Sequence, residues 1–167
     1  MMNRYNNSEF HSIVKPILDN CPFSETKKMK HHGITRYDHS MRVAYFSYKV
    51  TKILHLDYKE TTEAALLHDF FTDEVKEKNG LARLRQHPTC AVENAKKYFE
   101  LSDKQEDIIK THMFPVTFTP PKYLESWIVD LVDDAASIYE RATTMKDSIK
   151  TAASFIFVFI INYIKMH

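Results

Sequence analysis

Two adjacent polar residues, His68 and Asp69, interrupt the apolar run Ala64-Ala65-Leu66-Leu67-His68-Asp69-Phe70-Phe71. A fold that buries this run must also bury an imidazole beside a carboxylate, and must give both a partner. An ionised carboxylate buried alone costs on the order of several kcal/mol. A metal cation is one partner that offsets that cost.

Further candidates fall in order around the pair. His39 lies upstream, His87 and His112 lie downstream, and Asp133 sits among Val129, Leu131, Val132 and Ala135. The series reads His, His-Asp, His, His, Asp, all nitrogen and oxygen donors that suit transition metals. Each member also has an ordinary reading. A lone helical histidine is more often a hydrogen-bonded core residue than a ligand. His87 can cap a helix, His112 can sit favourably at the negative end of a helix dipole, and Asp133 competes with Asp130 and Asp134. His11, His31, His32, His55 and His167 show that histidine is common in this chain. The argument rests on the order and the apolar context together.

Gly33 and Gly80 are the only glycines. That excludes glycine-rich phosphate loops and disfavours a fold built on tight hairpins, so any phosphate chemistry must use a metal and side chains. The chain of 167 residues suits one domain, 1–167, and its 44% hydrophobic content argues against disorder. A net charge of +1 predicts no strong field for nucleic acid or a membrane surface. Cys21 and Cys90 stand far apart with no CxxC pair, and the polar N-terminus lacks the apolar stretch of a signal peptide, so a cytoplasmic location is expected. The apolar stretch from Ala152 to Ile164 is shorter than a bilayer span and reads as a core or dimer-interface helix, with a membrane-surface anchor as the alternative.

The spacing predicts helices throughout and no alternating strand. A first helix over 8–18 buries Phe10, Ile13, Val14 and Ile17, with Pro16 weakening or kinking it. Asp38 is expected to cap a helix over 39–55 with Val43, Phe46, Val50, Ile53 and Leu54 as its buried stripe. Asp57 caps a helix running to 69 or 70. Residues 71–80 are charged and end in the turn signal Asn79-Gly80, and a short helical turn covers 81–85. His87-Pro88 reads as the start of a helix reaching about 99. Ser102 and Gln105 form a capping box for a helix over 103–111. Prolines at 115, 120 and 121 make 113–121 a loop. A helix over 123–142 is expected to bury Trp127, Ile128, Leu131, Val132 and Ala135, and a last, apolar helix covers 146–164.

The segments Tyr37-Asp38-His39-Ser40 and Leu66-Leu67-His68-Asp69, followed by Asp133, resemble the HD-domain superfamily of metal-dependent phosphohydrolases. The resemblance runs over 36–140. His87-Pro88, Thr111-His112-Met113-Phe114-Pro115 and Glu125-Ser126-Trp127-Ile128-Val129 resemble a bacterial branch of small HD hydrolases. The resemblance implies an all-α, single-domain helical bundle with a metal site of His39, His68, Asp69 and Asp133. Adding His87 and His112 matches the six-ligand, two-metal version, in which Asp69 bridges the ions. One departure is that Asp134 follows Asp133, where this branch often has lysine.

The implied activity is hydrolysis of a phosphate ester or nucleotide by a metal-activated water, with His68 and Asp69 catalytic. The cofactor would be one or two divalent ions of iron, manganese, zinc, cobalt or nickel. The substrate would be a small phosphorylated molecule, with no nucleic-acid or membrane partner and a possible homodimer. Arg36, Arg42, Lys76, Lys78, Arg83 and Arg85 can contact phosphate; Arg36 and Arg42 are the named candidates, and Arg42, one turn from His39, is the best single one. Two other readings stay open: a di-iron oxygenase of the same fold, and a nucleotide-binding module without turnover.

Overall fold

Helix follows helix in this chain because strong local start signals recur and glycine is almost absent. The computed structural model describes residues 5–31, 34–71 and 80–166, with Cys21, Lys30, His31 and 147–166 as backbone only. The expected turn at Asn79 and the candidate cations Lys76 and Lys78 lie outside the described residues.

Helix α1 (Ser8–Leu18) is capped by Asn7, whose side chain accepts from the Phe10 N–H, and it carries Pro16 in its last turn. Its face of Phe10, Ile13, Val14 and Ile17 is buried, as the spacing predicts. A short α2 (Cys21–Ser24) and a 3₁₀ turn (Glu25–Lys28) lead to two two-residue strands, β1 (Lys30–His31) and β2 (Ile34–Thr35), paired antiparallel. This ladder corrects the strand-free expectation. A strand of two residues is too short to show alternation in a sequence.

Helix α3 (Arg36–Ile53) begins earlier than expected. Thr35, not Asp38, is its cap, and the Thr35 hydroxyl accepts from the Asp38 N–H. Helix α4 (Tyr58–Leu67) is capped by Asp57 as expected. Helix α5 (Gly80–Ala95) corrects a second reading: His87-Pro88 does not start a helix but lies inside one. No cap or glycine separates 81–86 from Pro88, so the helix absorbs the proline at the cost of one missing hydrogen bond. Helix α6 (Asp103–Thr111) starts on the Ser102–Gln105 capping box with both reciprocal bonds made.

Helix α7 (Leu124–Met166) unites the two helices expected over 123–142 and 146–164. Neither glycine nor proline lies between them, so nothing stops the helix. The expected burial of its apolar C-terminal segment lies outside the described side chains. No helix among the described residues is long and apolar enough to cross a membrane.

Helix α3 packs on α4 and α7, α6 packs on α4, α5 and α7, and α1 closes against α4. Ala64, Ala65, Leu66, Leu67, Ile108, Ile109 and Val129 fill the middle. Two stripes differ from the sequence reading. On α3, Phe46, Val50, Ile53 and Leu54 are exposed, while His39, Ser40, Val43, Ala44, Ser47, Tyr48 and Thr51 are buried. On α7, Trp127 and Leu131 are exposed, while Ser126, Val129, Asp130, Asp133, Ala136 and Glu140 are buried; Ala135 is also exposed and Val132 half-buried. Of the expected α7 stripe, Ile128 alone is fully buried. Both helices turn a mixed face inward, polar groups beside Val43 and Tyr48 on α3 and beside Ile128 and Val129 on α7, while several large apolar residues fall on the opposite side.

Glu9 ties three helices together. Its carboxylate accepts from Tyr58 Oη at 2.9 Å, from Tyr48 Oη and from Lys52 Nζ. Hydrogen bonds from Lys52, Tyr48 and Tyr58 lower its pKa from 4.5 to about 2. A carboxylate depressed on folding contributes stability above its unfolded pKa and loses it as pH falls through the folded value. The melting-temperature gap between wild type and Glu9→Gln should therefore be widest near neutrality and shrink as the pH is lowered toward 2. An equal gap at both pH values would remove this role for Glu9.

Candidate metal centre

Helix ends bring the site together. His68 is the C-cap of α4, with φ −56° and ψ −33°, and Asp69 follows in the turn where the helix has already ended. Side chains adjacent on a helix diverge by about 100°, and both of these are buried because α4 ends here among the packed helices. His112 is the C-cap of α6 in a similar conformation, φ −61° and ψ −6°. His39 lies in the first turn of α3, His87 in the middle of α5, and Asp133 on the inward face of α7.

All six residues are buried and meet in one place. His39 Nε2 lies 2.8 Å from Asp133 Oδ1, and His68 Nε2 lies 3.7 Å from the same oxygen. His87 Nε2 and His112 Nε2 lie 3.4 and 3.9 Å from Asp69 Oδ1, and 2.9 Å from each other. Three overlapping trios can each hold an ion: His39, His68 and Asp69; His68, His112 and Asp133; and Asp69, His87 and His112.

The far nitrogens fix the tautomers. His68 Nδ1 lies 2.7 Å from the Ala65 carbonyl, His112 Nδ1 2.7 Å from that of Ile109, and His87 Nδ1 3.3 Å from that of Arg83. A carbonyl can only accept, so each Nδ1 carries a hydrogen, and Nε2 is the nitrogen left to bind an ion. Burial, followed by lesser and partly opposing charge effects, lowers the pKa of His87 to about 4 and also lowers that of His112, which keeps these rings neutral. His68 Nε2 is buried without a hydrogen-bond partner among the described residues. The Nε2 lone pairs of His87 and His112 face Asp69 Oδ1 at 3.4 and 3.9 Å, lone pair against lone pair, and a cation removes that repulsion. The residues present therefore fit a metal ion.

His39 completes the set differently. Its Nδ1 donates to Glu140 Oε2 at 3.0 Å while Nε2 faces Asp133. Burial opposes its charge, yet Asp133 and Glu140 raise its pKa to about 10. Burial likewise opposes the charge of Asp133, but its hydrogen bond to His39 and the nearby imidazoles hold it at about 2. The proton between His39 and Asp133 stands where an ion would enter, and binding would displace it.

Of the three late aspartates, Asp133 joins the histidines, Asp130 is buried one turn away, and Asp134 is exposed. Arg42 donates to Glu140 Oε1 and stacks 5.4 Å from the Tyr139 ring centroid. Arg36 donates to the Phe71 carbonyl at 2.7 Å, stacks 3.9 Å from the Phe71 ring, and lies 4.0 Å from Asp69 Oδ2. Both arginines are thus engaged by residues that build the centre. Arg85 donates to the Val116 carbonyl at 3.1 Å and stacks on Phe118. The sequence reading missed Glu140. Its seven-residue spacing from Asp133, two turns on the same face of α7, was the available signal.

Residues 36–138 match the family model of the HD domain. The chain belongs to the HD-domain family. HD domains bind divalent metals, and most of the family are metal-dependent hydrolases. No curated protein and no solved structure matches the chain.

In this HD domain the carboxylate behind His39 should matter almost as much as a direct ligand. Replacing a group that orients a metal-bound histidine commonly costs about 10–100-fold in affinity. Glu140→Gln should weaken metal binding by about that factor, measured by titration against a competing chelator, with the helical circular-dichroism signal unchanged. Wild-type affinity in the variant would reduce Glu140 to a structural partner of Arg42.

Proposed function

We propose that this protein is a metal-dependent phosphohydrolase, cleaving a phosphate ester or nucleotide at a centre of two divalent ions. One observation carries the reading: the Nε2 atoms of His68, His87 and His112 converge with Asp69 and Asp133 in one buried place, each ring turned by the carbonyl behind its Nδ1. His39 joins when it gives up its proton. Asp69 belongs both to the trio with His39 and His68 and to the trio with His87 and His112, the position a bridging carboxylate takes.

When bound, the ions supply a water acidified toward neutrality and a positive field for the phosphoryl oxygens. Two divalent ions against the two carboxylates Asp69 and Asp133 leave the centre with net positive charge, which attracts an anionic substrate despite the chain's near-neutral balance. The protein's own share is positional. The carbonyls of Ala65, Arg83 and Ile109 hold three imidazoles in the binding tautomer, and Glu140 holds a fourth. Phe71, packed 5.3 Å from the His87 ring and beneath Arg36, walls one side from water. The substrate we propose is a small phosphorylated molecule, a nucleotide being the best fit to the branch that the sequence resembles.

Asp69→Ala should abolish metal retention and hydrolysis together, since it removes the shared ligand. Elemental mass spectrometry beside a phosphate-release screen reads both, and wild-type metal content and rate in that variant would sink the assignment. His87→Ala and His112→Ala should each lower the metal content from about two ions per chain toward one. One ion in wild type, unchanged in both variants, would reduce the site to His39, His68, Asp69 and Asp133. Oxygen consumption without phosphate release would favour oxidative chemistry at the same residues.

A further inference from the structure

Asp130 lies one helical turn before Asp133 on the inward face of α7. It is as deep as the centre itself, 4% exposed against 6% for Asp133. The backbone N–H of Phe114, two residues beyond His112, hydrogen-bonds its carboxyl, yet Oδ1 is buried with no hydrogen-bond partner. Asp130 is therefore bracketed between residues that flank two members of the centre, one on α7 and one after α6. The guanidinium groups at the centre are committed to other residues, Arg42 to Glu140 and Arg36 to Phe71 and Asp69. No cation in these contacts neutralises Asp130, and the neighbouring Asp133 and Asp134 repel its charge. Burial first, then Asp134 and Asp133, push its pKa up to about 7. A buried carboxyl in its protonated form is a hydrogen-bond donor, and Oδ1 has no hydrogen-bond partner among the described residues.

We propose that Asp130 is the proton donor to the leaving oxygen of the substrate, and that the substrates are esters whose leaving group is an alkoxide, such as the sugar hydroxyl of a nucleotide. The inference rests on the phosphohydrolase reading above. Water forms the new bond to phosphorus as the bond from phosphorus to the ester oxygen breaks. The electron pair of the broken bond stays on that oxygen and takes the Asp130 proton, giving the free alcohol and leaving Asp130 as a carboxylate. The proton released by the attacking water restores the carboxyl, so each turnover consumes one water and no other reactant. An alkoxide is far too basic to leave unprotonated, whereas a nitrophenolate is not, and general-acid catalysis is worth about 10²–10⁴-fold where it is needed.

The test compares wild type with Asp130→Asn on a nucleoside monophosphate and on 4-nitrophenyl phosphate, both with the native metal. The variant should lose about 100-fold more rate on the nucleotide than on the nitrophenyl ester. Its metal content should match wild type, and the infrared carbonyl band of a protonated carboxyl, present in wild type at mildly acidic pH, should be missing. Equal losses on both esters, or loss of metal, would overturn the donor role and make Asp130 a structural residue or a ligand. A second measurement needs no variant: across aryl and alkyl phosphates the wild-type rate should vary little with leaving-group basicity, and a steep fall would overturn the proposal. Turnover of no phosphate ester by wild type would overturn the phosphohydrolase reading itself and this step with it. Wild-type turnover of both esters with a uniform loss in the variant would overturn the role of Asp130 alone.

Discussion

Three imidazole Nε2 atoms and two carboxylates crowd together, buried, in the middle of this bundle, and the rest of the structure is arranged around that constraint. The arrangement grows out of ordinary helix termination. The last carbonyls of a helix lack partners within it. At the ends of α4 and α6, His68 and His112 fold their Nδ1–H groups back onto the carbonyls of Ala65 and Ile109, each three residues earlier. The same bond that satisfies the helix end turns the other nitrogen inward. Capping and metal chemistry are thus one interaction read from its two sides.

That constraint also explains why α3 and α7 carry several large apolar residues on the outside. Both helices must bring polar groups to the centre, His39 from α3 and Asp133 and Glu140 from α7. Beside the larger Met41, Val43 and Tyr48, the inward face of α3 sets the small or hydroxyl side chains Ser40, Ala44, Ser47 and Thr51. These let the helices approach closely while the polar groups meet. Phe46, Val50, Trp127 and Leu131 are left on the far side. A hydrophobic stripe read alone points the wrong way in a helix whose purpose is to bury polarity. The bond from Glu140 to His39 and the pair it makes with Arg42 join α3 to α7 at that point.

The HD family assignment and the all-helical architecture follow from local signals that need no tertiary knowledge. Asp57, Ser102 and Gln105 start helices through bonds to their own backbone neighbours, so those starts are legible in the chain. Pro88 and the segment between 142 and 146 misled because helix continuation is cooperative: an absent stop signal outweighs one weak start signal.

The sequence by itself determined that the chain is helical, that its polar pair at 68 and 69 must be satisfied inside, and which six residues were the candidates. Those conclusions depend on residue identity, spacing and the cost of burying charge. Only the tertiary structure decided that Asp133 and not Asp134 meets the histidines, that Glu140 stands behind His39, and that Asp130 is buried with a free oxygen. It also decided that Arg36 and Arg42 are held by Phe71 and Glu140. The physical reason is that a side chain's partner across the bundle depends on the rotation of one helix against another. That rotation is set by the packing of all the faces together, and no single segment records it.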